Sequence, residues 1–156
     1  MGLDMYLYAT KQESRSKHYA YPKNTRLKCE YPKEFEYAKE FAFVARKTSY
    51  EIAYWRKANA IHKYFVDLSG RDDDCRPIQI SVSDLVKLVE LCKEVLKNKN
   101  KAQEILPTQD GFFFGSTEYD DMYFDDIEET IKMLEPAILA MKGLGAEWHL
   151  EYEASW

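Results

Sequence analysis

The chain has 156 residues, the length of one ordinary domain, and with 46% hydrophobic and 31% charged residues it reads as globular rather than disordered. Its net charge of −5 is uneven: residues 1–63 hold 13 Lys/Arg against 7 Asp/Glu, and residues 64–156 hold 9 against 20. The acidic total argues against a broad surface for long nucleic acid, and no apolar run approaches the roughly 18 residues of a membrane span.

The basic first part still suits a small anion, and the dipolar layout suits self-association. The opening Met1-Gly2-Leu3-Asp4-Met5 lacks the basic and apolar regions of a secretory leader. Cys29, Cys75 and Cys92 are odd in number and contain no C-x-x-C, so neither a disulfide framework nor a structural zinc is expected. These signs point to a reducing cytoplasm.

Along the chain, Leu3, Met5 and Leu7 alternate with Asp4, Tyr6 and Tyr8, which predicts a half-buried strand over residues 2–9. Residues 10–33 lose periodicity and carry Tyr21-Pro22 and Tyr31-Pro32, so a long loop, a candidate lid, is expected there. Phe35, Tyr37 and Phe41 to Val44 suggest a second strand. Thr48-Ser49-Tyr50-Glu51 has the pattern of a capping box and predicts a first helix with the apolar face Tyr54, Ala58, Ile61, Phe65 and Leu68, ended by Gly70. Ser81-Val82-Ser83-Asp84 predicts a second helix running to about residue 104, with the stripe Leu85, Leu88, Val89, Cys92, Val95 and Leu96.

Gly111-Phe112-Phe113-Phe114-Gly115 reads as a short buried strand or turn. Asp125 or Asp126 would cap a third helix, with Ile127, Ile131, Leu134, Ile138 and Met141 inward and a kink or break at Pro136. Trp148, Leu150, Tyr152 and Ala154 alternate with polar residues in a last strand with one wet face. The expected fold class is α+β, a single domain over residues 1–156: an antiparallel sheet with three main helices packed on one face.

The predicted first helix carries the main candidate site. Beside its core face it would present Trp55, Asn59 and His62, with Arg56 and Lys63 at the edge, spaced three or four residues apart. An indole to stack on a base, an amide and an imidazole to read polar edges, and two cations for phosphate are a nucleotide-binding set. Ser116 and Thr117 after Gly115 offer hydroxyls and amides to an anion, and Tyr119 can wall a pocket. Arg26 can join them from the long loop. The lysine of a Walker A loop is missing. The acidic groups Asp72 to Asp74 and Glu118 to Asp126 lack EF-hand spacing, and no metal or other cofactor is expected. His18, His62 and His149 form no H-x-H or H-E-x-x-H pattern, so no catalytic residue is assigned.

Taken together, Gly2 to Leu7, the run Tyr54-Trp55-Arg56-Lys57-Ala58-Asn59-Ala60-Ile61-His62-Lys63, Leu106-Pro107-Thr108 and Gly111 to Tyr119 resemble a family of small bacteriophage and prophage proteins. The likeness spans nearly the whole chain; Tyr64 departs from it, standing where the family has Trp. The resemblance implies a phage anti-defence protein of the host cytoplasm. Such a protein would act as a homo-oligomeric sponge that holds a small nucleotide signal, of cyclic or ADP-ribose type, without cleaving it. Two other classes remain open from the sequence. One is a small metal-dependent nucleotide hydrolase using His62 and the carboxylates of residues 118–126. The other is a protein-binding inhibitor of a host factor, docking through exposed aromatics and acidic residues.

Overall fold

A computed structural model describes residues 2–15 and 44–156, and the side chains of residues 2–11 and 49–156. Arg26, Cys29, most of the expected loop over residues 10–33 and nearly all of the second expected strand lie outside the described residues. The chain divides into two compact units, residues 1–11 with 49–156 and residues 12–48. The hydrophobic core of the described residues belongs to the first unit.

The elements, in order, are β1 (Asp4–Arg15), β2 (Val44–Arg56), α1 (Asn59–Ser69), β3 (Ile78–Ile80), α2 (Val82–Lys97), a 3-10 turn (Lys99–Lys101), α3 (Ala102–Ile105), α4 (Asp121–Lys142) and β4 (Trp148–Ser155). The sheet is antiparallel, with strand order β2-β1-β4-β3. The α+β class expected from the sequence is thus the class observed.

The period-two pattern of β1 is realised: Leu3, Met5, Leu7 and Ala9 are buried, while Asp4, Tyr6 and Tyr8 keep partial exposure. The register carries this row across the sheet. Leu7 faces Tyr152, which faces Ile78, and Ala9 faces Leu150, which faces Ile80. Apolar side chains of α1, α2 and α4 close the same core, among them Ile61, Phe65, Leu85, Leu88, Ile127 and Leu134. Each contributes about 1.5–3 kcal/mol of burial.

Several expectations are corrected. β1 continues to Arg15, into the region expected to be loop. The Thr48–Glu51 box caps no helix; it lies inside β2, and α1 begins ten residues later at Asn59. The segment is rich in Thr, Tyr, Ile and Trp, which suit a pleated surface, and pairing beside β1 outweighs a local cap. The second box is real: Ser81 Oγ accepts from Asp84 N, and the Asp84 carboxylate accepts from Ser81 N. Its helix ends at Lys97 rather than near residue 104, with α3 a separate turn. β3, three residues long, had no sequence signal. The 111–115 segment forms the turn that was one of its two readings, closed by Phe114 N donating to Gly111 O, but it is not buried throughout, since Phe112 is exposed. α4 is capped by Asp120 rather than Asp125 or Asp126, and it runs unbroken through Pro136. The polar face of β4 is less wet than expected, since Glu151 is buried.

Candidate functional site

The junction between β2 and α1 is built from an unusual backbone. Lys57 adopts φ 62°, left-handed for a residue with a side chain, at a cost of about 1 kcal/mol. Ala58 follows at φ −75° and ψ 69°, and Asn59 N donates to Lys57 O across it at 2.9 Å, an inverse γ-turn. Lys57 N is fixed by Leu3 O at 2.8 Å. Two glycines make room for the lysine. A Cβ on Gly115 would sit 3.2 Å from Lys57 Cβ, and one on Gly2 would sit 3.3 Å from Lys57 Cε.

This turn leaves α1 with no side-chain cap and no acidic residue in its first turn. The first helical bond runs from His62 N to Ala58 O, and among the described residues no acceptor takes the N–H of Ala60 or Ile61. Both residues are buried and line a cavity of about 250 Å³. First-turn amides have no acceptor within their own helix, and with the positive end of the helix they favour an anion. Arg56 and Lys57 line the same cavity, and neither has an ion pair among the described residues.

The opposite wall is acidic. Glu118, Asp120 and Asp126 line it with Met122, Tyr123 and Ile127. Asp120 is spent on capping α4, its Oδ1 accepting from Tyr123 N. Asp126 is half-buried, and among the described residues its carboxyl has no hydrogen bond and no ion pair. Burial, reinforced by the neighbouring Asp125 and Asp120 charges, pushes it up to about 6.

The expected site residues therefore separate. Arg56, Asn59 and Ser116 meet at the cavity. They do not share a helix face, because Arg56 ends β2 and Asn59 starts α1. Asn59, 4% exposed, is the brace: its Nδ2 donates to Phe114 O at 3.1 Å and Ser116 O at 2.7 Å, and its Oδ1 accepts from Gln109 N at 3.3 Å. Ser116 Oγ accepts from Glu118 N.

Trp55 does not line the cavity. It is 4% exposed in the core, packed against Phe65, and its Nε1 donates to Thr130 Oγ1 at 2.9 Å. Lys63 points elsewhere, paired with Asp67 one turn along α1. Thr117 and Tyr119 belong to the loop's own framework: Thr117 O and Tyr119 Oη both accept from Thr108.

His62 is fully buried, with both ring nitrogens engaged. Asp73 only accepts, so the 2.8 Å contact is Nε2–H donating to the carboxylate. Nδ1 lies 2.7 Å from the Tyr152 hydroxyl, from which the neutral ring accepts. Burial raises the Tyr152 phenol well above its ordinary value, which keeps that proton in place.

Sequence reasoning missed Lys57, the two amides and Asp126 as cavity-lining groups. Lys57 and the amides depend on where α1 begins, for which the Lys57-Ala58-Asn59 break between strand and helix was the signal available, whereas Asp126 is placed by α4. Among the described residues no three His, Cys, Asp or Glu side chains converge to hold a metal ion, and no helix is long and apolar enough to cross a membrane. No protein-family model, curated protein or solved structure matches the chain.

Proposed function

We propose that this protein is a phage-encoded anti-defence protein that binds a small nucleotide-derived signal in the β2–α1 cavity and sequesters it uncleaved in the host cytoplasm. The carrying observation is the pair of cavity-lining first-turn residues Ala60 and Ile61, whose amides have no acceptor among the described residues, beside Arg56 and Lys57, which have no ion pair among them. Together they offer a phosphate oriented donors and charge in one place.

Sequestration is favoured over turnover by what lines the cavity. Among the described residues no histidine or cysteine lines it, its acidic groups are Glu118, Asp120 and Asp126, and the imidazole of His62 is committed to Asp73 and Tyr152. At about 250 Å³ the cavity is slightly smaller than common ligand pockets, roughly 300–1,000 Å³. It suits one nucleoside unit, and a cyclic or ADP-ribose type signal would extend beyond it, toward a second copy of a homo-oligomer.

The test is native mass spectrometry of protein purified from cells with active nucleotide signalling, followed by denaturation and analysis of what is released. An intact nucleotide at fixed stoichiometry per subunit, absent from Arg56→Ala prepared in parallel, is the expected result. Protein that releases nothing, or an Arg56→Ala variant that carries as much ligand, would overturn the proposal.

A further inference from the structure

Donors and acceptors are segregated in the cavity. The β2–α1 side supplies donors: Arg56, Lys57 and the amides of Ala60 and Ile61. Two carbonyl oxygens on this side are already engaged: Ser116 O accepts from Asn59 Nδ2, and Lys57 O accepts from Asn59 N. The opposite side supplies carboxylates: Asp120 is engaged in the α4 cap, Glu118 is exposed, and Asp126 is half-buried with no donor among the described residues. Above its raised value of about 6 Asp126 is ionised and can only accept.

A half-buried acceptor of this kind is satisfied by a ligand edge with adjacent N–H donors. Among nucleobases, guanine presents two, N1–H and the 2-amino group, side by side. Adenine and cytosine pair one donor edge with an acceptor, and uracil flanks one donor with two acceptors. Resting on the binding reading above, we propose that the cavity selects a guanine nucleotide, with phosphate at Arg56 and Lys57 and the base edge on Asp126. The carboxylate then forms two parallel charge-assisted hydrogen bonds, the arrangement that gives geometric discrimination.

The test is calorimetric titration at pH 7.5 with the 5′-monophosphates of guanosine, inosine, adenosine and xanthosine, on the full chain and on Asp126→Asn. The wild-type protein should bind the guanosine compound about tenfold tighter than the inosine compound, which lacks the 2-amino donor, and tighter still than the adenosine compound. Asp126→Asn should reverse the order toward xanthosine, because an amide donates to its 2-oxo group while accepting from N1–H. A structural defect would not produce that gain. Equal binding of all four compounds, lost on Arg56→Ala but unmoved by Asp126→Asn, overturns guanine selection and leaves the phosphate site standing. No binding of any of the four overturns both.

Discussion

The indole of Trp55 and the hydroxyl of Thr130 are joined inside the core: Nε1 donates to Oγ1 at 2.9 Å, and Oγ1 in turn donates to Asp126 O at 2.7 Å. This two-bond chain ties the end of β2 to the second turn of α4, the two elements that carry Arg56 and Asp126 to the cavity. Trp55 thus sets the spacing of the site's walls from behind.

Trp55→Ala should lower unfolding free energy by about 3–5 kcal/mol through lost burial and the cavity left behind. Trp55→Phe keeps most of the volume but removes the donor to Thr130, at a cost of about 1–2 kcal/mol. Urea titrations give both values. Nucleotide affinity of Trp55→Phe should fall by more than about threefold as the bond that spaces the two walls is lost; affinity equal to wild type would refute that role.

Tyr152→Phe leaves His62 Nδ1 buried without its donor. The expected cost is about 1–3 kcal/mol, the range for an unsatisfied buried acceptor. Asp73→Asn should cost less, because an amide oxygen still accepts from Nε2–H. A double-mutant cycle should show coupling of about 0.5 kcal/mol or more, since both partners act on one ring; strict additivity would refute the linked chain.

Lys57 holds a left-handed backbone that glycine adopts freely. Lys57→Gly should therefore raise thermal stability by about 1 kcal/mol, while weakening nucleotide binding through loss of a cation. Stability gained at the expense of binding is the expected signature of strain kept for function. A variant that loses stability would show that the lysine side chain braces the turn.

Asp126 makes the folded state bind a proton more tightly than the unfolded one, its carboxyl being raised from 3.8 to about 6. Its unfavourable contribution is therefore absent below about pH 4 and fully present above about pH 6. The two-unit shift corresponds to roughly 3 kcal/mol, which solvent screening at this half-buried position reduces to about 1 kcal/mol. Asp126→Asn should stabilise the protein by that amount at pH 7.5 and by nothing measurable at pH 3.5, as read from chemical denaturation at the two pH values. An equal effect at both would place its origin in packing rather than charge.

Much of the architecture was legible in local pattern. The alternation of Leu3, Met5 and Leu7, the Ser81–Asp84 box, the left-handed Gly70 cap and the stripe from Ile127 to Met141 each record a constraint that acts within a few residues. The candidate site was legible in part. Arg56, Asn59 and Ser116 were identified and do meet, whereas Trp55 and His62 look like ligand-binding residues by type and are core residues by position.

The sequence alone determined the α+β class, the inward faces of β1, β4, α2 and α4, and which residues have chemistry to offer, because periodicity and residue type are local properties; the face expected of the first helix fails at Tyr54 and Leu68, which are exposed. Only the tertiary structure decided where α1 begins. Residues 48–56 satisfy a helix cap on paper, but their strand-forming side chains gain more from lying in the sheet beside β1. That single long-range choice moves Trp55 into the core, leaves the amides of Ala60 and Ile61 open, and sets Lys57 in its strained turn. A site assembled from a strand end, a helix start and the second turn of another helix has no period of its own to be read.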